Sequence, residues 1–386
     1  MTVMLASCGT FSEIKRDVDD AAVRRYAATG DLEAEVRELV RPFMERDRPP
    51  GLVVGVLLPG GGREIFGYGV TCREGGRRPG GDTLFAIGST SKGFLSALAA
   101  VLVEEGEISW DDTLGDILGE DVRLSSDASE ITLLELATHS SGLPRQPQNL
   151  RFLAYFMQFL FTGRNFYRHL DRDYILSYLE GFRRPVLTDP TYSNIGYAVL
   201  GYVLEHRTGT DLDSLMREKL LGPLGLDATG FEPHVSNGCE ARAHPHAGDH
   251  PKFMRRGRPV PEWRFTDVLL GAAGLYSTAG EMLTYAAAYL HPGDDETLNR
   301  ALQDSLKVRH ERSGIARALA WAVDDVGGHE IVYQIGFVSG YSCYVGMDVR
   351  GGAAVVVLQN SLNWTEAIGH RLLLTMARAA AEAEKR

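Results

Sequence analysis

The chain has 386 residues, 44% of them hydrophobic and 24% charged, with a formal net charge of −11 at pH 7. That balance fits a globular protein of one large or two medium domains and excludes a disordered or fibrous chain. The negative charge leaves no basic field to hold nucleic acid, and it argues against docking on anionic lipid.

No apolar run reaches the roughly 18 residues that a spanning helix needs. Cys8, Cys72, Cys239 and Cys343 show neither pairing nor metal spacing, so reduced or buried thiols are expected. Leu5-Ala6-Ser7-Cys8 resembles a bacterial lipoprotein cleavage box, but the basic start and apolar stretch of a secretion signal are missing. The expected location is cytoplasmic, with export or a lipidated Cys8 as the alternative.

Residues 1–30 are polar and mixed, and read as an N-terminal tail. Asp31 can cap a helix through about Asp47, since Leu32, Val36, Leu39, Val40 and Phe43 recur at helical spacing. Leu52–Leu58 and Glu64–Val70 read as a hairpin about a Pro-Gly-Gly-Gly turn. Helical patterns follow over Lys92–Glu105, Thr132–Thr138, Asp173–Phe182, Gly196–Thr208, Leu212–Leu220 and Ala279–Leu290. Strands return at Ile331–Gln334, Ser342–Asp348 and Ala353–Gln359, and a helix from Thr365 to about Ala381 closes the chain. The expected architecture is α/β plus α, an antiparallel sheet flanked by terminal helices with an inserted helical lobe. Residues 31–88 and 268–386 would form the sheet domain, and 89–267 the lobe.

Ser89-Thr90-Ser91-Lys92 lies where a strand or loop runs into an apolar helix. Residues three apart share a helix face, so the Lys92 amine can reach the Ser89 hydroxyl. A serine is a poor nucleophile until a neighbouring base takes its proton, and a lysine serves only if burial or nearby charge lowers its pKa. The motif alone is weak, because Ser12-Glu13-Ile14-Lys15 repeats it in the polar tail. A capped helix with a solvated lysine explains it equally well. Tyr192-Ser193-Asn194 precedes another apolar helix. A phenol beside an ammonium could exchange a proton with Ser89, and an Asn amide could hold both a substrate and the lysine. A packed tyrosine and a helix-cap asparagine are the plainer account. Gln334-Ile335-Gly336-Phe337 closes a predicted strand, where Gly336 would permit close backbone approach.

In this order the three motifs resemble the penicillin-recognising serine enzymes. The intervening text resembles the class C β-lactamase and esterase branch, through Phe85-Ala86-Ile87-Gly88-Ser89, Thr138-His139-Ser140-Ser141-Gly142-Leu143-Pro144, Pro223-Leu224-Gly225-Leu226, Ala273-Gly274-Leu275-Tyr276-Ser277-Thr278 and Gly340-Tyr341-Ser342. The resemblance covers roughly 52–360. It implies an acyl-enzyme on Ser89, with Lys92 and Tyr192 shuttling its proton. Asn194 and the strand residues Gln334 and Gly336 would bind substrate, and the backbone N–H groups of Ser89 and Phe337 would form the oxyanion hole. The family usually carries Lys or His where Gln334 stands, facing a substrate carboxylate.

An uncharged Gln334 therefore favours a neutral or lipophilic ester or amide, hydrolysed or transferred to an amine or alcohol. The rival readings are a β-lactamase or D-amino-acid peptidase, and a catalytically idle ligand-binding member. Phe152, Tyr155, Phe156, Phe159, Phe161, Phe166 and Tyr167 crowd one stretch, either as a buried helix face or as an apolar wall for an acyl group. His244, His246 and His250 sit in a Gly/Pro-containing loop and do not suggest a metal site. No cofactor is called for.

Overall fold

The computed structural model describes residues 18–47, 51–119, 121–147, 149–186, 190–231, 238–265, 267–312, 315–326, 328–363 and 367–384. Leu5–Cys8 and Ser12–Lys15 lie outside them.

Two helices come first, α1 (Asp20–Thr29) and α2 (Leu32–Asp47). Asp31 caps α2, its carboxylate accepting the Ala34 N–H at 3.0 Å. Helix α1 corrects the expectation of a tail over 1–30. Val23 is its one buried residue, so it offers little apolar period to read. The hairpin follows as β1 (Leu52–Leu57) and β2 (Arg63–Tyr68), then a short β3 (Leu84–Ala86). The longer helices of the middle are α3 (Ser91–Glu104), α4 (Leu150–Thr162), α5 (Arg172–Glu180) and α6 (Asn194–Thr208). Gly209, with φ 68°, ends α6 where the sequence places a stop. The return brings β4 (Tyr276–Thr278), α7 (Ala279–Leu290) and α8 (Glu296–Leu306). Strands β5 (His310–Arg312), β6 (Ile315–Arg317), β7 (Ala322–Val326), β8 (His329–Val338), β9 (Tyr341–Asp348) and β10 (Ala353–Gln359) follow, and α9 (Ala367–Glu384) closes the chain.

Eight strands form one antiparallel sheet in the order β2-β1-β10-β9-β8-β7-β6-β5, while β3 pairs with β4 apart from it. Strands β1 and β10 are apolar except for Gln359 at the end of β10, because both faces are covered. Alternate side chains point to opposite faces of a sheet. Val54, Val56, Val355 and Val357 pack with Val36 and Val40 of α2 and Leu372 and Leu373 of α9. Val53, Leu57, Val356 and Leu358 face the larger core with α3 and α7. The fold is thus an antiparallel sheet flanked by terminal helices, with helices inserted between β3 and β4.

Strands β5, β6 and β7 and helix α8 were not expected. Three-residue edge strands are too short to show a period, and Asp324-Asp325 breaks the apolar pattern of β7. Strand β8 extends past the expected end, so Gln334–Phe337 lies inside the strand.

Cys72 and Cys239 correct the expectation of unpaired thiols, since they form a disulfide with Cα atoms 5.7 Å apart. Their separation of 167 residues hides the pairing from any spacing rule. Neighbouring contacts hold the two loops together: the Thr71 hydroxyl donates to Cys239 O, and the His244 N–H donates to Thr71 O at 2.7 Å. Cys343 matches the inert reading, because burial pushes its thiol up to about 12. A cross-link closing so long a loop chiefly restricts the unfolded chain and contributes about 2–4 kcal/mol. Cys72→Ser with Cys239→Ser should therefore lower Tm by several degrees, and added reductant should lower Tm for the wild type alone. An unchanged Tm in the double variant would refute the cross-link. No helix of the described residues is long and apolar enough to cross a membrane.

Candidate active site

A tight approach between β8 and the start of α3 builds the centre of the site. Ser89 sits in a 3-10 turn, Gly88–Thr90, that feeds directly into α3. A Cβ on Gly336 would lie 1.9 Å from the Ile87 carbonyl oxygen, and one on Gly88 would lie 2.8 Å from the Phe337 backbone. Gly88 also has φ +55°, which a side chain rarely adopts. The two glycines thus let the Ser89 and Phe337 backbones lie side by side. The Ala273–Thr278 run braces the turn from the other side. Ile87 N–H donates to Leu275 O at 3.0 Å, and Leu275 N–H donates to the Ser91 hydroxyl at 3.1 Å.

One helical turn after Ser89, Lys92 is only 2% exposed. Its Nζ lies 3.3 Å from Ser89 Oγ and donates to the Ala272 carbonyl at 2.6 Å. Among the described residues no carboxylate contacts this amine. Burial holds Lys92 below its ordinary pKa, and the Arg145 cation adds to that effect, against an opposing pull from Tyr192. The Tyr192 phenol hydrogen-bonds both Lys92 and Ser89. Burial alone would push the phenol up, but the Lys92 and Arg145 cations outweigh it and hold Tyr192 below its ordinary value.

The Tyr192 loop is held by His139, which sequence reasoning did not single out. Thr191 N–H donates to the His139 carbonyl at 2.8 Å, and Ser193 N–H donates to His139 Nδ1 at 3.1 Å. An accepting Nδ1 carries no proton, so the ring is neutral with its hydrogen on Nε2. Burial and the nearby cations keep the imidazole well below its usual range, consistent with that state. The ring packs on Tyr192 at 4.5 Å and on Tyr197 at 4.9 Å between centroids. His139 takes φ +62°, a conformation few non-glycine residues hold.

Ser89 and Phe337 line an open cavity. Phe156 and Phe159 of α4, with Phe166, Tyr167, Trp263 and Phe265, form its apolar wall. Several pack edge to face, as Phe166 on Trp263 at 5.0 Å and 88°. Of the aromatic stretch, Phe152, Phe156 and Phe159 are a buried helix face and Phe156, Phe159, Phe166 and Tyr167 a cavity wall, while Tyr155 is half-buried and Phe161 is exposed, so neither expectation holds for those two. Asn194 also lines the cavity, but its amide donates to the Tyr167 hydroxyl at 2.8 Å and does not reach Lys92. Among the described residues Arg145 is the one arginine or lysine on the wall, with its guanidinium over the Tyr192 ring at 5.1 Å.

Gln334 departs from its expected place. It is 3% exposed and absent from the wall, and its amide packs against Gly93 of α3. Among the described residues neither of its side-chain polar atoms has a hydrogen-bond partner. The side chain points beneath the nucleophile's helix, so a substrate in the cavity would meet Arg145 and not Gln334. His250 lines the cavity and His246 is buried at 1% exposure. Among the described residues no cluster of metal-ligating side chains forms.

A family model described as Beta-lactamase matches residues 36–377. The chain belongs to the beta-lactamase family. Members of this family are serine hydrolases, and relatives include an unguisins hydrolase of Aspergillus campestris, 28% identical over 86% of this chain. This chain spans 62% of that relative's length. The D-alanyl-D-alanine-carboxypeptidase/endopeptidase AmpH of Escherichia coli K12 is 26% identical over 80% of this chain and 79% of its own length. A class C beta lactamase from Rhodobacter sphaeroides shares the fold, with a TM-score of 0.74 at 24% identity over 90% of this chain and 99% of its own. This beta-lactamase-family chain thus keeps the family architecture around a cavity rich in aromatic rings.

Proposed function

We propose that the protein transfers acyl groups through an ester on Ser89, acting on neutral or lipophilic esters or amides. The observation that carries this reading is a buried Lys92 amine, free of carboxylate contacts among the described residues, 3.3 Å from the hydroxyl of Ser89, which lines an aromatic cavity. The Lys92 and Tyr192 pair takes the hydroxyl proton as Oγ attacks the acyl carbon. The oxyanion accepts hydrogen bonds from the Ser89 and Phe337 N–H groups. The C–O or C–N bond then breaks, and the leaving group receives the proton from the pair. Water, or an alcohol or amine acceptor, gives its proton to the same pair and attacks the ester, restoring Ser89. Asn194, held by Tyr167, orients the substrate, while Gly336 lets the strand approach. Gln334 acts indirectly, by filling the space under α3 without charge.

Arg145 favours a second reading, a β-lactamase or D-amino-acid peptidase that binds a substrate carboxylate at this cation. A charge-assisted hydrogen bond contributes roughly 1.5–3 kcal/mol, or about ten- to a hundredfold in kcat/KM. Steady-state kinetics on p-nitrophenyl butyrate, nitrocefin and a D-alanyl-D-alanine peptide separates the two. The ester is expected to have the highest kcat/KM. Nitrocefin or peptide turnover above the ester, lost in Arg145→Gln, would establish the second reading instead. The Cys72–Cys239 disulfide supports the exported alternative over a cytoplasmic one, since such bonds persist in oxidising compartments.

A further inference from the structure

Helix α4 is apolar on both sides. Its inner face buries Phe152, Phe156 and Phe159, and its only charged residue is Arg151. A surface helix ordinarily carries a polar outer face. Here the outer face exposes Leu150 at 81%, Met157 at 42% and Phe161 at 56%. The loop 252–258 extends this surface. Phe253 is 62% exposed and stacks on Phe161, with centroids 4.5 Å apart and planes at 10°. Its N–H donates to Leu160 O at 3.2 Å, which anchors the loop to the end of α4.

The chain segments that carry this apolar patch are basic. Residues 145–170 contain no Asp or Glu. Arg151, Arg164, Arg168, Lys252, Arg255 and Arg258 are all exposed. Among the described residues none of the six pairs with a carboxylate. The acids of the adjoining loop are already engaged, Asp249 with Arg256 and Glu262 with Arg242. A net charge of −11 averages over the whole chain and conceals this local excess of cations.

We propose that the outer face of α4 and the 252–258 loop dock on an anionic lipid surface. The apolar side chains would enter the acyl boundary while the arginines meet headgroup phosphates, as in helices that lie in a membrane interface. A symmetric dimer through the same face would set arginine against arginine, which disfavours a second copy as the occupant. Because Phe156 and Phe159 of α4 wall the cavity, docking would bring that cavity up to the acyl layer. The inference goes beyond the acyl-transfer reading and is read without catalysis.

Flotation of the full chain with phosphatidylcholine vesicles, with and without phosphatidylglycerol, tests it. The wild type and Ser89→Ala should both bind the phosphatidylglycerol vesicles about tenfold or more tighter than pure phosphatidylcholine. That preference should fade at about 1 M salt, where the Debye length is about 3 Å. Arg255→Glu with Arg258→Glu should abolish the preference, and Phe161→Ser with Phe253→Ser should weaken binding about tenfold. Both double variants should keep the wild-type Tm, which shows that the fold is intact. Equal binding to both vesicle types, or variants that float like the wild type, would overturn the proposal. So would a concentration-dependent dimer that dissolves in Phe161→Ser without any vesicle binding.

Discussion

Ser89→Ala is expected to lower kcat/KM on the best ester by on the order of a thousandfold or more. The alanine removes the attacking oxygen, and among the described residues no other serine or threonine hydroxyl contacts the Lys92 amine. Thr90 is buried and turns away, its hydroxyl meeting Cys343 Sγ at 3.4 Å. Ser91 is committed to the backbone, donating to Gly88 O at 2.7 Å. Ser12→Ala, in the second copy of the motif, should leave turnover unchanged. A phosphonate that labels serine nucleophiles should add one adduct to the wild type and none to Ser89→Ala, read by intact mass. Equal turnover by the wild type and Ser89→Ala would remove the acyl-enzyme, and a wild type that takes no label and turns nothing over would be an idle binding protein.

Lys92→Ala and Tyr192→Phe should each lose most activity, and the double variant should lose far less than the product of the two. The groups hydrogen-bond each other and Ser89, so removing either dismantles one unit. Fully independent losses would contradict the relay. The pH profile carries the same argument. Catalysis needs the pair one proton short, so kcat/KM rises with pH through the pair's apparent pKa and falls below it. Burial lowers Lys92, and the cations lower Tyr192, so this acid limb lies below the usual range of about 10 for either group. Arg145 depresses both. Arg145→Gln should therefore move the limb to higher pH, whichever member of the pair is the base. An unmoved limb would show that Arg145 acts on substrate alone.

Much of the site was legible because it is local. The Ser89–Lys92 spacing is one helical turn, and a turn of helix has the same geometry wherever it occurs. Gly336 was legible as a point of close approach, though not what approaches it. Tyr192 became a partner of Ser89 only through the order of the motifs, since nothing in its own segment separates a proton relay from a packed ring. Gln334 shows the limit. Its identity suggested an uncharged substrate contact, but a strand residue's direction depends on register, and the longer β8 turns it toward Gly93.

By itself the sequence determined the opening hairpin, the longer helices α3, α6 and α7, the strands β8 to β10, and the serine–lysine spacing. Each follows from periodicity or from contacts a few residues apart. Only the tertiary structure decided the burial and company of that pair. Ala272, His139 and Arg145 reach it from separate segments, and the burial that lowers Lys92 is a property of the packed whole. The same holds for the Cys72–Cys239 bond and for the exposed face of α4. An apolar residue reads identically in sequence whether it faces a core or solvent. Folding alone chooses between them, because the area it removes from water is set by neighbours distant in the chain.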